Sequence, residues 1–110
     1  MDGWREREAR RRTGLRERNE WIQVANEQLG SHAEVDEYAC ECGAPGCLAR
    51  VALTVPEYEA VRVGGAQFLV ATDHQDPEIE AVVMEDDRFV VVRVLVPSLA
   101  RIVRESDPRS

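Results

Sequence analysis

The stretch Cys40-Glu41-Cys42-Gly43-Ala44-Pro45-Gly46-Cys47 decides how this chain is read, because it gathers all three cysteines of a 110-residue chain into eight positions. Three thiols cannot all pair with one another. In a reducing compartment such a group points to a metal site or a redox site rather than a disulfide framework. Gly43, Pro45 and Gly46 permit a tight turn that folds Cys47 back over Cys40 and Cys42 and aims backbone N–H groups at sulfur. The pattern is that of a knuckle, and a tetrahedral ion held in one requires a fourth ligand. The chain has two histidines. His74 is the preferred ligand, because it sits at a predicted strand end just before a predicted helix start and is held by backbone on both sides. His32, in a polar turn eight residues before Cys40, stays open as the alternative.

Three thiolates and one imidazole make a soft, closed set that suits a structural Zn2+ and leaves no coordination position open for catalysis. A two-iron cluster is the main competitor. Known Cys-x-Cys and histidine clusters of that type place the histidine within a few residues of the last cysteine, whereas His74 is 27 positions beyond Cys47. Free thiols serving a peroxide or metal sensor are a third reading, which requires accessible, low-pKa sulfur.

Outward from the knuckle, Val35 to Ala39 reads as a short strand leading into Cys40, and Ala49 to Thr54 alternates as a half-buried strand should. Thr54 and Glu57 have capping-box spacing and Pro56 falls in the first turn, which predicts a helix over Val55 to Arg62 stopped by Gly64-Gly65. Gln67 to Ala71 is a second strand. Asp76-Pro77-Glu78 carries helix-start signals, and Ile79, Val82 and Val83 supply an apolar stripe, which predicts a helix to about Glu85. Phe89 to Val96, rich in β-branched residues, reads as the central strand of a small sheet. Pro97 and Ser98 open a last helix over Leu99 to Glu105, before a polar tail at 107–110.

Toward the N-terminus, Leu15, Ile22, Ala25 and Leu29 have helical spacing and Gly30 a plausible stop, so 14–30 is expected to be an amphipathic helix. Residues 1–13 lack an apolar stripe and are expected to be a flexible, Arg-rich arm. The whole predicts one α+β domain over 31–106 with a small, mostly antiparallel sheet of about three strands, short helices and the knuckle, preceded by that helix.

Net charge is −7, unevenly spread: residues 1–18 hold seven Arg against Asp2, Glu6, Glu8 and Glu17, a balance of +3 that leaves −10 for the rest. An acidic body argues against nucleic-acid binding by the folded part, because phosphate contacts need a basic face. Only Arg10, Arg11 and Arg12 of the arm remain eligible, and the glutamates between the arginines describe a solvated helix more simply. No apolar run approaches the roughly 20 residues of a membrane span and the first thirty residues are charged, so a cytoplasmic protein without a secretory signal is expected. The chain contains no Gly-rich phosphate loop, no Gly-x-Ser-x-Gly elbow and no His-Glu-x-x-His, which favours binding over catalysis.

The strings Cys40-x-Cys42-x4-Cys47, Leu53-Thr54-x-x-Glu57-Tyr58-Glu59-x-Val61-Arg62, Phe68-x-Val70-Ala71-x-x-His74-x-x-Pro77-Glu78-x-Glu80 and Asp107-Pro108-Arg109 resemble an uncharacterised family of small bacterial proteins. The resemblance covers roughly residues 19–110, including the Asn-Glu pairs at 19–20 and 26–27. It implies that the three cysteines and His74 belong together and brings no established activity. Where that family commonly has glycine before the histidine, this chain has Asp73. The expected function is a zinc-binding protein-interaction or regulatory module whose partner is another protein, with a redox- or zinc-responsive regulator as the alternative.

Overall fold

A computed structural model of the chain describes residues 3–28 and 35–109. Helix α1 runs over Trp4–Gln28, followed by strands β1 (Asp36–Ala39) and β2 (Arg50–Leu53). Then come helix α2 (Val55–Val61), strands β3 (Gln67–Val70), β4 (Glu80–Glu85) and β5 (Val90–Val94), and helix α3 (Pro97–Glu105). The α+β class is the expected one, but the strands form two sheets. β1 and β2 make an antiparallel hairpin paired from Asp36 with Leu53 to Ala39 with Arg50, and its loop is the knuckle. The second sheet is antiparallel in the order β3-β5-β4, with β5 central as its apolar run predicts.

Helix α2 forms where its capping box requires: Glu57 N–H donates to Thr54 Oγ1 at 3.2 Å, and Thr54 N–H donates back to Glu57 Oε1 at 2.8 Å. The helix predicted from Asp76 to Glu85 is not there. Asp76 does accept from the N–H groups of Glu78, Ile79 and Glu80, as an N-cap would, but the chain closes a single turn and then extends into β4. Val82 and Val83 are β-branched and favour extended chain; Val82 pairs with Val92 of β5, and Val83 is the extra residue of a bulge between Val82 and Met84. Ile79, Val82 and Val83 therefore do not form a buried helical stripe, and both valines are exposed.

Residues 4–13, expected to belong to a flexible arm, are the first ten residues of α1. Its buried face is Ala9, Arg12, Arg16, Asn19 and Gln23, spaced 3, 4, 3 and 4 residues apart. This stripe has helical period but polar chemistry, so a search for apolar periodicity passes over it. Of the expected stripe, Leu15 and Ile22 are half-buried and Ala25 is exposed, while Leu29, Gly30 and His32 lie outside the described residues. The core proper is apolar and lies between α1, α3 and the sheets, around Tyr38, Leu53, Tyr58, Phe68, Val92 and Leu99. Tyr38 and Tyr58 stack with ring centroids 4.6 Å apart. No helix among the described residues is long and apolar enough to cross a membrane.

The residues read as a polar tail are tied down. Arg62 pairs with Asp107 and, at 3.3 Å, with Glu20. Arg109 reaches Glu20 at 2.6 Å, Glu59 at 2.8 Å and Gln23 Oε1 at 2.8 Å. Hydrogen bonds from Arg109 hold Glu59 below its ordinary carboxylate range. For Glu20, burial works in the opposite direction and is outweighed by hydrogen bonds from Arg109 and Tyr58. A carboxylate depressed on folding contributes stability above its unfolded pKa of about 4, and that contribution is lost as pH falls through the folded value. Arg109→Ala is therefore expected to cost about 1 kcal/mol at pH 7, limited by solvent screening of Glu59, and the gap from wild type is expected to be smaller at pH 3 than at pH 7. Urea midpoints at the two pH values check this.

Candidate metal centre

Two segments meet at the site. The knuckle leaves β1 and enters β2, and Cys40 N–H donates to Ala49 O at 3.0 Å across its base. Gly43 and Gly46 both take φ of +77°, the left-handed region that glycine enters without strain, and Cys47 N–H closes a turn onto Ala44 O at 3.2 Å. The second segment is the loop after β3. Glu41 N–H donates to Leu69 O at 2.7 Å and Ala71 N–H donates to Cys40 Sγ at 3.2 Å, which binds the end of β3 to the knuckle. His74 N–H then turns back to Ala71 O at 3.0 Å.

That turn places the imidazole over the thiols. His74 Nδ1 is 3.5 Å from Cys40 Sγ and 3.6 Å from Cys47 Sγ, and the donor atoms of Cys40, Cys42, Cys47 and His74 all lie within 4.8 Å of one another. Metal–ligand lengths of about 2.3 Å for sulfur and 2.05 Å for nitrogen set a tetrahedral N···S edge of about 3.6 Å. The donor set and its spacing thus fit a single tetrahedral ion, and the group is positioned to hold one. Cys40 and Cys42 are buried, Cys47 is half-buried and His74 is exposed, so the site opens to solvent on its Cys47–His74 side.

Burial pushes the Cys40 thiol up to about 12 and the Cys42 thiol upward too, against hydrogen bonds from the backbone of Ala71 and Ala44 respectively. The Ala49 backbone N–H draws Cys47 downward. The two inner thiols therefore surrender their protons to a metal more readily than to water, and metal uptake is coupled to proton release.

No family model, curated protein or solved structure matches this chain. The site therefore rests on its own residues.

Asp73 has φ of +69°, the left-handed conformation that favours glycine and that Asp tolerates. This conformation favours Gly, or a residue that tolerates it as Asp does, directly before His74. Asp73→Val, a β-branched residue in that region, is expected to cost about 1–3 kcal/mol and to lower metal affinity by misplacing the ring, which thermal melts and chelator competition measure.

Other participants were not visible in the sequence. Glu41, between two cysteines, is fully buried and its carboxylate accepts from Leu69 N–H at 2.9 Å and from Asn19 Nδ2 at 2.8 Å. Asn19 also donates to Ala39 O at 2.9 Å and accepts from Ala39 N–H at 2.7 Å. Arg11 Nε donates to Gly43 O at 2.5 Å, and Arg12 donates to Cys42 O at 3.0 Å. The only available signal was the spacing of Arg12, Arg16, Asn19 and Gln23, together with an acidic residue inside the metal motif.

Proposed function

We propose that this chain is a zinc-stabilised binding module of the cytoplasm, in which Zn2+ held by Cys40, Cys42, Cys47 and His74 fixes the surface that another protein recognises. The observation that carries the metal half of this reading is the agreement of the 3.5 and 3.6 Å N···S separations with the edge of one tetrahedron. A two-iron cluster divides its ligands between two ions, so donors of opposite pairs lie farther apart than one tetrahedral edge. The mutual approach of all four donors within 4.8 Å favours a single ion. Bound there, zinc supplies a cross-link between hairpin and β3 loop rather than chemistry. Exposed Trp21 and Val24 of α1 line one apolar groove with Pro108, which supports a protein partner.

The arginine-rich segment supports nucleic-acid binding poorly. Arg12 and Arg16 are fully buried, and Arg11 is engaged with Glu8 and Gly43 O. Their charge is used inside the fold.

Metal content by mass spectrometry on native protein, with a visible spectrum of the same sample, tests the reading. One zinc per chain and no colour is the expected result; iron with sulfide, or a folded chain without metal, overturns it. A redox-responsive regulator is the second reading, favoured by half-buried Cys47, whose sulfur lies within 4.8 Å of that of Cys42. There, hydrogen peroxide takes two electrons from the two thiolates, forming one disulfide and two hydroxide ions and releasing the metal. Retention of zinc under micromolar peroxide eliminates it.

A further inference from the structure

We infer that Arg12 of α1 is a positioning residue of the metal centre, joining the knuckle to the His74 loop through one guanidinium. This rests on the reading of the four donors as a metal site. Arg12 NH2 donates to Cys42 O at 3.0 Å and to Glu80 Oε2 at 2.6 Å. The other oxygen of Glu80 accepts from Asp76 N–H at 2.6 Å, two residues beyond His74. One continuous chain of hydrogen bonds therefore runs from the backbone of a thiol ligand, through a buried cation and a buried anion, to the backbone of the histidine loop. Arg12 Nε is held in turn by Glu8 Oε2 at 2.8 Å. Arg12 and Glu80 side chains are 0% and 1% exposed.

The helix is also in direct contact with the knuckle. A Cβ added to Gly43 would lie 2.5 Å from Glu8 Oε2 and 3.0 Å from Arg12 Cγ, so the turn lies directly against α1. The four donors come from two segments that no metal-independent strand ladder joins at the ligand positions themselves. Beside the Glu41–Leu69 and Ala71–Cys40 hydrogen bonds, Arg12 and Glu80 provide a further junction, which reaches the His74 loop itself. Desolvation largely cancels the net stabilisation of a buried ion pair, so what this pair contributes is the spacing of the groups it bonds. Arrangement of ligands by such outer partners typically changes metal affinity 10- to 100-fold.

Arg16 supplies the internal comparison. It lies one turn along the same helix, is equally buried, and donates to Gly65 O at 2.8 Å and Val103 O at 2.6 Å, its hydrogen bonds going to neither metal-bearing segment. The experiment measures zinc affinity by chelator competition, and the 113Cd resonance of cadmium-loaded protein, for wild type, Arg12→Lys, Arg12→Met/Glu80→Gln and Arg16→Met. Urea midpoints are measured in parallel so that affinities are compared at matched chain stability. Arg12→Lys keeps the charge but cannot reach both partners in the guanidinium's geometry. The expected result is zinc binding at least about 10-fold weaker in both Arg12 variants than in Arg16→Met, with a shifted 113Cd resonance only in the Arg12 variants. Equal affinities for the Arg12 and Arg16 variants, or an unmoved resonance, overturn the inference and leave the metal site standing. Wild-type protein that takes up no zinc overturns both together.

Discussion

Cys40→Ser is expected to abolish stoichiometric zinc binding and to lower the melting temperature by more than about 15 °C, the consequence of losing roughly 4–5 kcal/mol from a domain of this size. Cys40 is the innermost donor, 1% exposed, and it accepts from Ala71 N–H and approaches His74 Nδ1. Serine shortens the donor and replaces a soft thiolate with a hydroxyl that does not ionise at neutral pH, so the ion loses one of four bonds. The loop after β3 then loses its direct tie to the hairpin. Cys47→Ser is expected to do less, because Cys47 is half-buried on the outer turn of the knuckle. Zinc stoichiometry by mass spectrometry and melts followed by circular dichroism distinguish the two. If Cys40→Ser melts within a few degrees of wild type in zinc-containing buffer, the metal contributes little to folding and the structural role is wrong.

What could be read from the sequence follows from which physical signals are local. The Thr54–Glu57 box is made by residues three apart, and the helix it predicts is the helix that forms. Phe89 to Val96 is apolar apart from Arg93, and β5 lies between two neighbours with every residue but Arg93 buried. The knuckle is legible because cysteine spacing and left-handed glycines both act within eight residues. The misreadings arise where partners are distant. Asp76-Pro77-Glu78 gives a true helix-start signal, but β5 lies alongside and offers Val82 and Met84 a ladder instead. Local capping was present, and tertiary pairing overrode it.

The N-terminal helix shows the same limit more sharply. Arg12, Arg16, Asn19 and Gln23 are buried because each finds an acceptor contributed by a segment far along the chain: Glu80 and Cys42 O, Gly65 O and Val103 O, Glu41 and Ala39 O, and Glu59. An uncompensated arginine in a core is prohibitive, and a reading that cannot see the acceptors must leave it in solvent. Three of these acceptors are carboxylates and four are carbonyls, those of Ala39 and Val103 near the ends of β1 and α3 and those of Cys42 and Gly65 in connecting loops, where regular pairing stops and oxygens are left open. Helix α1 therefore reads as a polar seal over the open ends of the other elements rather than as an amphipathic helix on an apolar floor. Its arginines also lie against Phe68, with guanidinium carbons 5.1 and 5.0 Å from the ring centre, which lets a cationic stripe sit on an apolar residue.

The same logic makes Glu41 the most consequential side chain outside the four donors. Glu41→Ala is expected to destabilise the zinc-saturated protein by roughly 3–5 kcal/mol, because it leaves Leu69 N–H and one hydrogen of the Asn19 amide buried without an acceptor and opens a cavity. Glu41→Gln is expected to cost less. Its one oxygen can still accept from Leu69 N–H or from Asn19, but its amide nitrogen must then face the other donor. The order Ala worse than Gln follows from counting acceptors and does not depend on the metal, provided zinc saturates every variant. Urea unfolding in excess zinc measures the order. Hydrogen exchange at the Leu69 amide measures the cause, since in Glu41→Ala that amide loses its acceptor while Val90 and Val92 stay within the β5 ladder. A Leu69 amide that remains protected in Glu41→Ala would show that another group takes the carboxylate's place, and would remove Glu41 as the tie between the hairpin, β3 and α1.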